Sequence, residues 1–342
     1  MYKPPFSITN KMTYYISSIS EKIGNLDYKN TLMAKPHLRR NNKIRSIHSS
    51  LKIEANSLSL GQVKDVLDGH LVLGEKREIQ EVKNAYEAYD KITSINPYSI
   101  KDLNNLHSIM TKYLINESGQ FRSGEEGVFN GDECIFMAPP AKFVPELMQD
   151  LFEWMNAEKD NIHPLILSSV FHYEFVFIHP YADGNGRMAR LWHTAILTKW
   201  KPIFEFIPIE SQIEKFQDEY YSAISECHKN GDSNVFIEFT LQKTDEVLEE
   251  IFQLDNTNYY SEETGLPVDK SYFECGLPKY LQISIENMKK SWIIIDNGSN
   301  DIHWDLYWCE LNADINSAEV DQVISTEQAW YLREKYLRMK RE

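Results

Sequence analysis

Apolar side chains recur every three or four positions along most of the chain, which is the period of an amphipathic helix. Two such stripes run over residues 82–89 and 103–113. The segment Pro164–Ile178 is apolar on almost every side, which predicts a helix at the centre of the core. The pattern therefore predicts a mainly α-helical body over about residues 35–255.

The period changes in a glycine-rich stretch before the middle of the chain. The short apolar runs Val128-Phe129 and Cys134-Met137 lie on either side of the turn-forming pair Asn130-Gly131, within the segment from Gly127 to Met137. An Asn-Gly pair between two such runs is typical of a tight β-hairpin. The sequence therefore predicts one exposed hairpin on the helical body.

The two ends of the chain differ from this body. Residues 1–34 are polar and weakly periodic, which predicts an N-terminal arm that is laid on the body or partly disordered. Residues 256–342 contain the apolar run Trp292–Ile295, followed by Asp-Asn-Gly and by aromatic and acidic residues. That run favours a strand or two, so the segment is expected to be a small α+β appendage of unknown role with terminal helices.

Composition and charge narrow the class of protein. Apolar residues make up 42% of the chain and charged residues 25%, as is usual for a soluble protein. The net charge of -15 argues against broad binding of nucleic acid or anionic membranes, which depends on basic surface. The four cysteines form no C-x-x-C pair, and no apolar run approaches the roughly 20 residues that span a bilayer. We expect a cytoplasmic protein with no nucleic-acid or membrane partner, although a secreted effector exported without a cleaved signal would have the same features.

One turn between two apolar helices carries the candidate chemistry. It reads His-Pro-Tyr-Ala-Asp-Gly-Asn-Gly-Arg-Met-Ala-Arg over residues 179–190. Its Gly-Asn-Gly centre tolerates positive φ, so backbone N–H groups can point one way at the start of a helix, which makes a ready anion site. Arg187 and Arg190 are three residues apart and can both reach phosphate oxygens.

Asp183 and His179 add a candidate cation ligand and a candidate base to this turn. Mg²⁺ prefers one or two carboxylates together with waters and substrate phosphates, so Asp183 is suited to hold it. His179 titrates near neutral pH and can take a proton from an attacking hydroxyl. Each feature alone is usually a turn, a structural histidine or a solvated arginine pair, but their combination favours attack on a nucleotide phosphate.

This stretch resembles the signature of the Fic (Fido) family, His-x-Phe-x-Asp/Glu-Gly-Asn-Gly-Arg-x-x-Arg, with Tyr181 where Phe is usual. The resemblance extends over about residues 35–255 and implies a helical bundle with a β-hairpin flap. It implies a protein adenylyltransferase that uses ATP and Mg²⁺ to transfer AMP to a Ser, Thr or Tyr hydroxyl of an unidentified target protein. The implied roles are a general base at His179, a metal ligand at Asp183, an anion hole at Gly184, Asn185 and Gly186, phosphate clamps at Arg187 and Arg190, nucleoside contacts at Tyr220, Tyr221 and His228, and a target-aligning flap at Gly127, Val128 and Met137.

A second motif upstream resembles the inhibitory helix of the same family, which we expect over about residues 44–56. Glu54 lies four residues after Ser50 and therefore on the same helical face. A carboxylate that reaches Arg190 would occupy the guanidinium meant for a phosphate and would leave ATP misdirected. Ala55 stands where the family has Gly or Asn, which leaves the geometry of the helix end open.

Other functions fit the same residues. The turn could transfer a different phosphate-linked group, or Glu54 could position a water that removes AMP, which would make the protein a de-adenylylase. In a different class, the protein would be a catalytically silent module for nucleotide sensing or protein interaction, although the intact His179 and Asp183 argue against it. Self-modification through the N-terminal arm and a homo-oligomer are both compatible with the sequence.

Overall fold

The computed structural model describes residues 2–29, 36–130, 133–256, 270–274, 277–296 and 298–340. No helix within these ranges combines the length and the apolar character needed to cross a membrane. Over the same ranges the chain is mainly helical, and its α-helices are α1 Asn10–Lys29, α2 Pro36–Ile53, α3 Leu60–Asp68, α4 Lys76–Asp90, α5 Ile100–Met110, α6 Val144–Glu158, α7 Pro164–Ile178, α8 Asn185–Trp200, α9 Ile209–Lys215, α10 Gln217–Asn230, α11 Asn234–Asn256, α12 Lys279–Asp296, α13 Trp304–Val320 and α14 Thr326–Tyr336.

Contacts group the chain into two compact units. The first contains Met1–Leu58 and Val63–Thr257, and the second contains Ser59–Gln62 and Asn258–Glu342. In the first unit, α7 packs against α6, α8 and α11. α7 is buried along almost its whole length, as its apolar sequence predicts, and most of α8 is buried as well. The turn that joins these two helices therefore starts from the centre of the first unit.

The N-terminal arm expected over residues 1–34 is in part a helix. α1 packs against α11 and buries Met12, Ile19, Ile23 and Leu26. Positions separated by seven, four and three residues share one helical face. The stripe is narrow and lies among polar side chains, so the composition of the segment concealed it.

Two short antiparallel strands lie in the stretch for which a hairpin was predicted. β1 is Gly127–Asn130 and β2 is Glu133–Met137. Gly127 pairs with Met137, and an irregularity in register follows Val128. The predicted Asn-Gly turn ends at Gly131, which lies outside the described residues.

The second unit is helical in all of its described segments. Buried aliphatic side chains of α12, α13 and α14 form its core, among them Leu281, Ile285 and Met288 of α12. The strand predicted over Trp292–Ile295 is wrong, because these residues continue α12 to Asp296. The buried positions upstream recur every three or four residues, and this helical period decides the structure of a short apolar run that is ambiguous by itself. The α+β character expected for the appendage is therefore not found in residues 270–274, 277–296 and 298–340.

Candidate active site

The turn between α7 and α8 depends on two residues with left-handed backbone. His179 ends α7 with φ 52° and ψ 58°, and Gly184 precedes α8 with φ 85° and ψ 8°. The φ of Gly184 is one that L side chains rarely adopt, and a Cβ there would also make a tight contact of 3.1 Å with Thr111 Cγ2, so the position favours glycine. The turn leads directly into the N-terminus of α8. The first backbone N–H groups of that helix have no helical partners and can bind an anion.

Asn185 holds this turn closed with its side chain. Its Oδ1 accepts a hydrogen bond from the Tyr181 N–H at 2.9 Å, and its Nδ2 donates to the Tyr181 carbonyl at 2.7 Å. The amide is buried and fully engaged with backbone. Asn185 can therefore offer its backbone N–H to an anion, whereas its side chain belongs to the architecture of the turn.

The stacked rings of Tyr181 and His107 hold the turn in place. The two rings stack with centroids 3.6 Å apart, and the Tyr181 hydroxyl donates to Asn104 Oδ1 at 2.6 Å, which gives this buried hydroxyl a partner. His107 Nδ1 accepts from the Gly119 N–H at 2.9 Å, so its Nε2 carries the proton and donates to the Asp183 carbonyl at 3.0 Å. Burial lowers the pKa of His107 to about 4, which keeps the ring neutral and this tautomer in place.

Asp183 presents its carboxylate to cationic groups at the mouth of the turn. Oδ1 accepts from Arg187 Nη2 at 2.8 Å and from the Gly184 N–H at 2.5 Å, and Oδ2 accepts from Arg77 Nη2 at 2.9 Å. No group of three or more His, Cys, Asp or Glu side chains that could hold a metal occurs among the described residues. A single, partly exposed carboxylate next to an anion site fits Mg²⁺, which takes few protein ligands when substrate phosphates and waters supply the rest.

Arg190 is buried and binds the end of α2. Its Nη2 lies 2.7 Å from Glu54 Oε1, and it donates through Nε to Ser50 Oγ at 3.0 Å and through Nη2 to the Ser50 carbonyl at 2.9 Å. Glu54 Oε1 also lies so close to Gly186 that a Cβ there would be only 2.3 Å away. The Glu54 carboxylate therefore occupies the space over the glycine turn where an anion would bind. Burial disfavours the charge of Arg190, but Glu54 overcomes this and keeps its pKa above the ordinary value.

The backbone after Glu54 explains how this carboxylate is held. Ala55 has φ 65°, its N–H donates to the Lys52 carbonyl at 3.0 Å, and the Asn56 N–H donates to the Leu51 carbonyl at 3.2 Å. These two bonds around a left-handed residue form a Schellman motif, the usual C-terminal cap in which glycine takes the left-handed position. Ala55 keeps the geometry that glycine would give, at the cost of a Cβ in the left-handed region.

His179 has the environment of a neutral base. Its side chain is partly exposed, and its buried Nδ1 has no hydrogen-bond partner among the described residues. Burial lowers the pKa of His179 below its ordinary value; the Val176 backbone opposes this shift, the Arg122 charge adds to it, and Glu54 and Asp183 oppose it weakly. The imidazole is therefore neutral at pH 7 and available to accept a proton.

The three candidate nucleoside contacts differ in accessibility. Tyr220 is only 2% exposed, and its hydroxyl lies 2.9 Å from His172 Nε2 inside the core. Tyr221 is 47% exposed, and His228 is partly buried with Nδ1 at 3.0 Å from the Tyr173 hydroxyl. Tyr220 therefore packs behind the site, while a nucleoside contact by Tyr221 or His228 stays a prediction.

Three side chains that the sequence analysis did not single out also belong to the site. Arg77 and His107 bind Asp183, and Arg122 binds the His179 carbonyl at 2.7 Å. They stand 106, 76 and 57 positions from these partners. Because no local motif surrounds any of them, the sequence of this chain alone carries no signal that would have found them.

Comparisons of sequence and of structure both relate this chain to Fic proteins. A sequence model of the Fic/DOC family matches residues 97–197. A Fic family protein from Desulfovibrio desulfuricans is 34% identical with a TM-score of 0.71, and the match covers 98% of this chain and 90% of that protein. The structure of Fic-1 from Caenorhabditis elegans is 22% identical with a TM-score of 0.59 over 72% of this chain and 73% of that one, which shows a shared fold.

Several curated relatives carry the name protein adenylyltransferase, two of them from Caenorhabditis elegans and Nematostella vectensis. One, fic-1 of Caenorhabditis elegans, is 25% identical over 251 residues, which are 70% of this chain and 46% of the relative. The other, Fic of Nematostella vectensis, is 29% identical over 215 residues, which are 59% of this chain and 47% of the relative. The chain thus spans about half the length of the curated relatives it matches.

Proposed function

Because the chain belongs to the Fic family, we propose that it is a protein adenylyltransferase, which transfers AMP from ATP to a Ser, Thr or Tyr hydroxyl of a target protein. The relatives of that name support the reaction class. The observation that carries the proposal is the α7–α8 turn, which gathers His179, Asp183, Arg187 and Arg190 around the N-terminus of one helix. A neutral base, an anion site and a hard carboxylate in that arrangement suit nucleotidyl transfer.

In the proposed reaction, His179 takes the proton of the attacking hydroxyl. The hydroxyl oxygen forms a bond to the α-phosphorus of ATP, the bond from that phosphorus to its bridging oxygen breaks, and diphosphate leaves. The N–H groups at the start of α8 would stabilise the charge on the α-phosphate oxygens, and Arg187 and Arg190 would hold the outer phosphates. Positioning and charge neutralisation provide most of the catalysis in such transfers.

Asp183 is the side chain that would hold Mg²⁺, through one carboxylate oxygen. When bound there, the ion would neutralise charge on the phosphates of ATP and on the leaving diphosphate. Arg77 on Oδ2 and Arg187 on Oδ1 would compete with the ion for this carboxylate. Asp183 would therefore serve both as a partner of these arginines and as the ligand of the ion.

The β-hairpin supports a role in presenting the target protein. β1 and β2 form a sheet of two strands in the described residues, so each strand has an outer edge that the other does not pair. An extended target segment can add to such an edge through main-chain hydrogen bonds. Met137 at the end of β2 is exposed and is suited to contact that segment.

The contact of Glu54 with Arg190 supports autoinhibition. The carboxylate occupies both the guanidinium and the space over Gly186, and it would repel the phosphates that must take its place. We expect the wild-type chain to transfer AMP slowly and Glu54→Gly to transfer it faster. Ser50 would stay on Arg190 in that variant and keep its orientation.

The test is intact-protein mass spectrometry of Glu54→Gly after incubation with MgATP, alone and with a cell lysate. The matched control is Glu54→Gly combined with His179→Ala. Added mass in steps of one AMP, on the protein itself or on a lysate protein and absent from the control, is the expected result. Binding of ATP without any modification would refute the transfer, and removal of AMP by the wild type from a modified target would assign the reverse reaction.

A further inference from the structure

Arg122, a buried arginine, lies between the candidate base and the β-hairpin. It is 3% exposed, and its Nε donates to the His179 carbonyl at 2.7 Å. Nη1 donates to the Gly124 carbonyl at 2.8 Å, and Nη2 donates to the Pro139 carbonyl at 2.5 Å. Gly124 precedes β1 and Pro139 follows β2. One guanidinium therefore binds the end of α7 and both ends of the hairpin.

The backbone of the same residue adds to this connection. The Arg122 N–H donates to the Pro180 carbonyl at 2.9 Å, and Nη2 also lies 3.4 Å from the Ile178 carbonyl. The acceptors of its side chain are thus backbone carbonyls from three separate chain segments. A planar guanidinium with five donors in a fixed fork can bridge three segments, which the single ammonium of lysine does less well.

The residue that Arg122 holds is itself conformationally unfavourable. His179 has φ 52°, a left-handed conformation that a non-glycine residue adopts only when its surroundings impose it. The bonds from Arg122 to the carbonyls of Ile178, His179 and Pro180 surround that residue on both sides. Arg122 is therefore placed to impose the backbone conformation from which the His179 side chain projects.

We propose that Arg122 is a positioning residue that fixes the His179 turn and the β-hairpin relative to each other. The inference rests on the proposed function, in which the hairpin aligns the target and His179 takes the proton of its hydroxyl. For that transfer the hydroxyl must lie within hydrogen-bond reach of the imidazole, so the distance between hairpin and base has to be fixed. A guanidinium that binds both is the direct means of fixing it.

Two further observations agree with this assignment. The Arg122 guanidinium binds backbone carbonyls, which belong to the fold. Arg187 and Arg190 instead bind the side-chain carboxylates of Asp183 and Glu54, whose place a phosphate can take. Its charge also acts on the base, because after burial and against the Val176 backbone it is one of the influences that lower the pKa of His179. The same side chain thus holds the backbone that carries the imidazole and favours its neutral form.

The first test is hydrogen exchange of the full chain, which needs no enzymatic activity. Loss of several charge-assisted hydrogen bonds in Arg122→Gln should speed amide exchange at least about tenfold in residues 124–139 and in the turn after α7, and leave α11 unchanged. Leu248→Ala is the matched control, because Leu248 is fully buried in α11 and its loss destabilises the core at another place. That control should speed exchange in α11 and spare residues 124–139.

Arg122→Lys keeps the positive charge but loses the forked guanidinium. It is the variant to be measured if Arg122→Gln does not fold. It should show the same local pattern with a smaller change, because one ammonium can reach only some of the carbonyls. If exchange in residues 124–139 stays at the parent rate in the folded variants, or rises only in step with all other regions, Arg122 is an ordinary core residue and the proposal is overturned.

The second test applies once transfer by Glu54→Gly has been measured, with Arg122→Gln or Arg122→Lys added to that variant. The expected result is a lower kcat together with a higher KM for the target protein, since base and hairpin are both displaced. Binding of ATP should change less than about twofold, because Arg187 and Arg190 are untouched. Unchanged kcat and KM in an active enzyme would overturn this inference alone, whereas inactivity of the Glu54→Gly parent would count against the proposed function and leave the exchange result standing.

Discussion

Replacing Ala55 by glycine tests how firmly the end of α2 holds Glu54. Ala55 has φ 65°, and an L side chain in the left-handed region costs about 1–2 kcal/mol. Glycine avoids that cost but loses about 0.5–1 kcal/mol more backbone entropy on folding. The difference favours Ala55→Gly by between about 0 and 1.5 kcal/mol, with a central value of about 0.75 kcal/mol.

This gain belongs to the state in which Glu54 rests on Arg190. The Schellman bonds of Ala55 and Asn56 close the helix that carries the carboxylate, and we expect them to loosen when Glu54 leaves the guanidinium. A stabilisation of about 1 kcal/mol would lower the population of the released state about fivefold, since 1.4 kcal/mol is a factor of ten. Basal AMP transfer should fall by up to the same factor.

Two measurements check this expectation. Thermal unfolding gives the sign of the stability change, and the initial rate of AMP transfer at saturating MgATP gives the change in basal activity. Ala157→Gly is the matched control, because Ala157 is exposed in the last turn of α6 with right-handed helical backbone. The same substitution there should destabilise by up to about 1 kcal/mol and leave transfer unchanged. A lower Tm or faster transfer in Ala55→Gly would refute the reasoning.

Two other substitutions are expected to act through single contacts. Arg77→Gln removes a half-exposed partner of Asp183, in an ion pair worth up to about 1 kcal/mol. Calorimetry with Mn²⁺ as a probe for Mg²⁺ should therefore show binding that is up to about fivefold tighter than in the wild type. Arg77→Lys keeps the positive charge and should bind Mn²⁺ like the wild type. Glu174 accepts a hydrogen bond from the Tyr2 hydroxyl, and burial raises its pKa to about 7. The stability that the protonated carboxyl contributes is therefore complete below pH 4.5 and is lost as the pH rises through 7. At pH 8, Glu174→Gln should therefore unfold at a higher temperature than the wild type, and its free energy of unfolding should be larger by up to about 3 kcal/mol. At pH 4.5 the two proteins should have equal stability. Equal stability at both pH values would contradict burial as the cause of the shift.

The parts of the site that the sequence could predict are those that depend on neighbours along the chain. The period of α7 and the Gly-Asn-Gly centre of residues 179–190 predicted a buried helix that ends in a tight turn, and the structure has both. The four-residue spacing of Ser50 and Glu54 put them on one helical face, and both contact Arg190. Local backbone chemistry decides each of these features.

The remaining parts depend on contacts between distant segments. Arg77, His107 and Arg122 reach the turn from positions far upstream, and a lone arginine or histidine gives no sign of such a contact. Burial of Tyr220 behind the site is also a tertiary fact, since its helix has the same polar and apolar pattern as a surface helix. The strand prediction for Trp292–Ile295 was wrong because it relied on local preference alone. The β preference of three isoleucines was overridden by the packing of α12.

The two ends of the proposed nucleotide site carry internal partners of opposite charge. Arg77 lies on Asp183, where the proposed function requires a metal ion, and Glu54 lies on Arg190, where it requires phosphate. Glu81 connects the two regions, since it lies 3.5 Å from Arg77 and accepts from Asn56, two residues after Glu54, at 2.9 Å. A metal ion that displaced Arg77 from Asp183 would therefore change the balance of charge on Glu81, a carboxylate that also holds the end of α2. Under the proposed function we therefore expect metal binding and release of Glu54 to be linked, so that a nucleotide bound without its metal displaces Glu54 less readily than the complete complex.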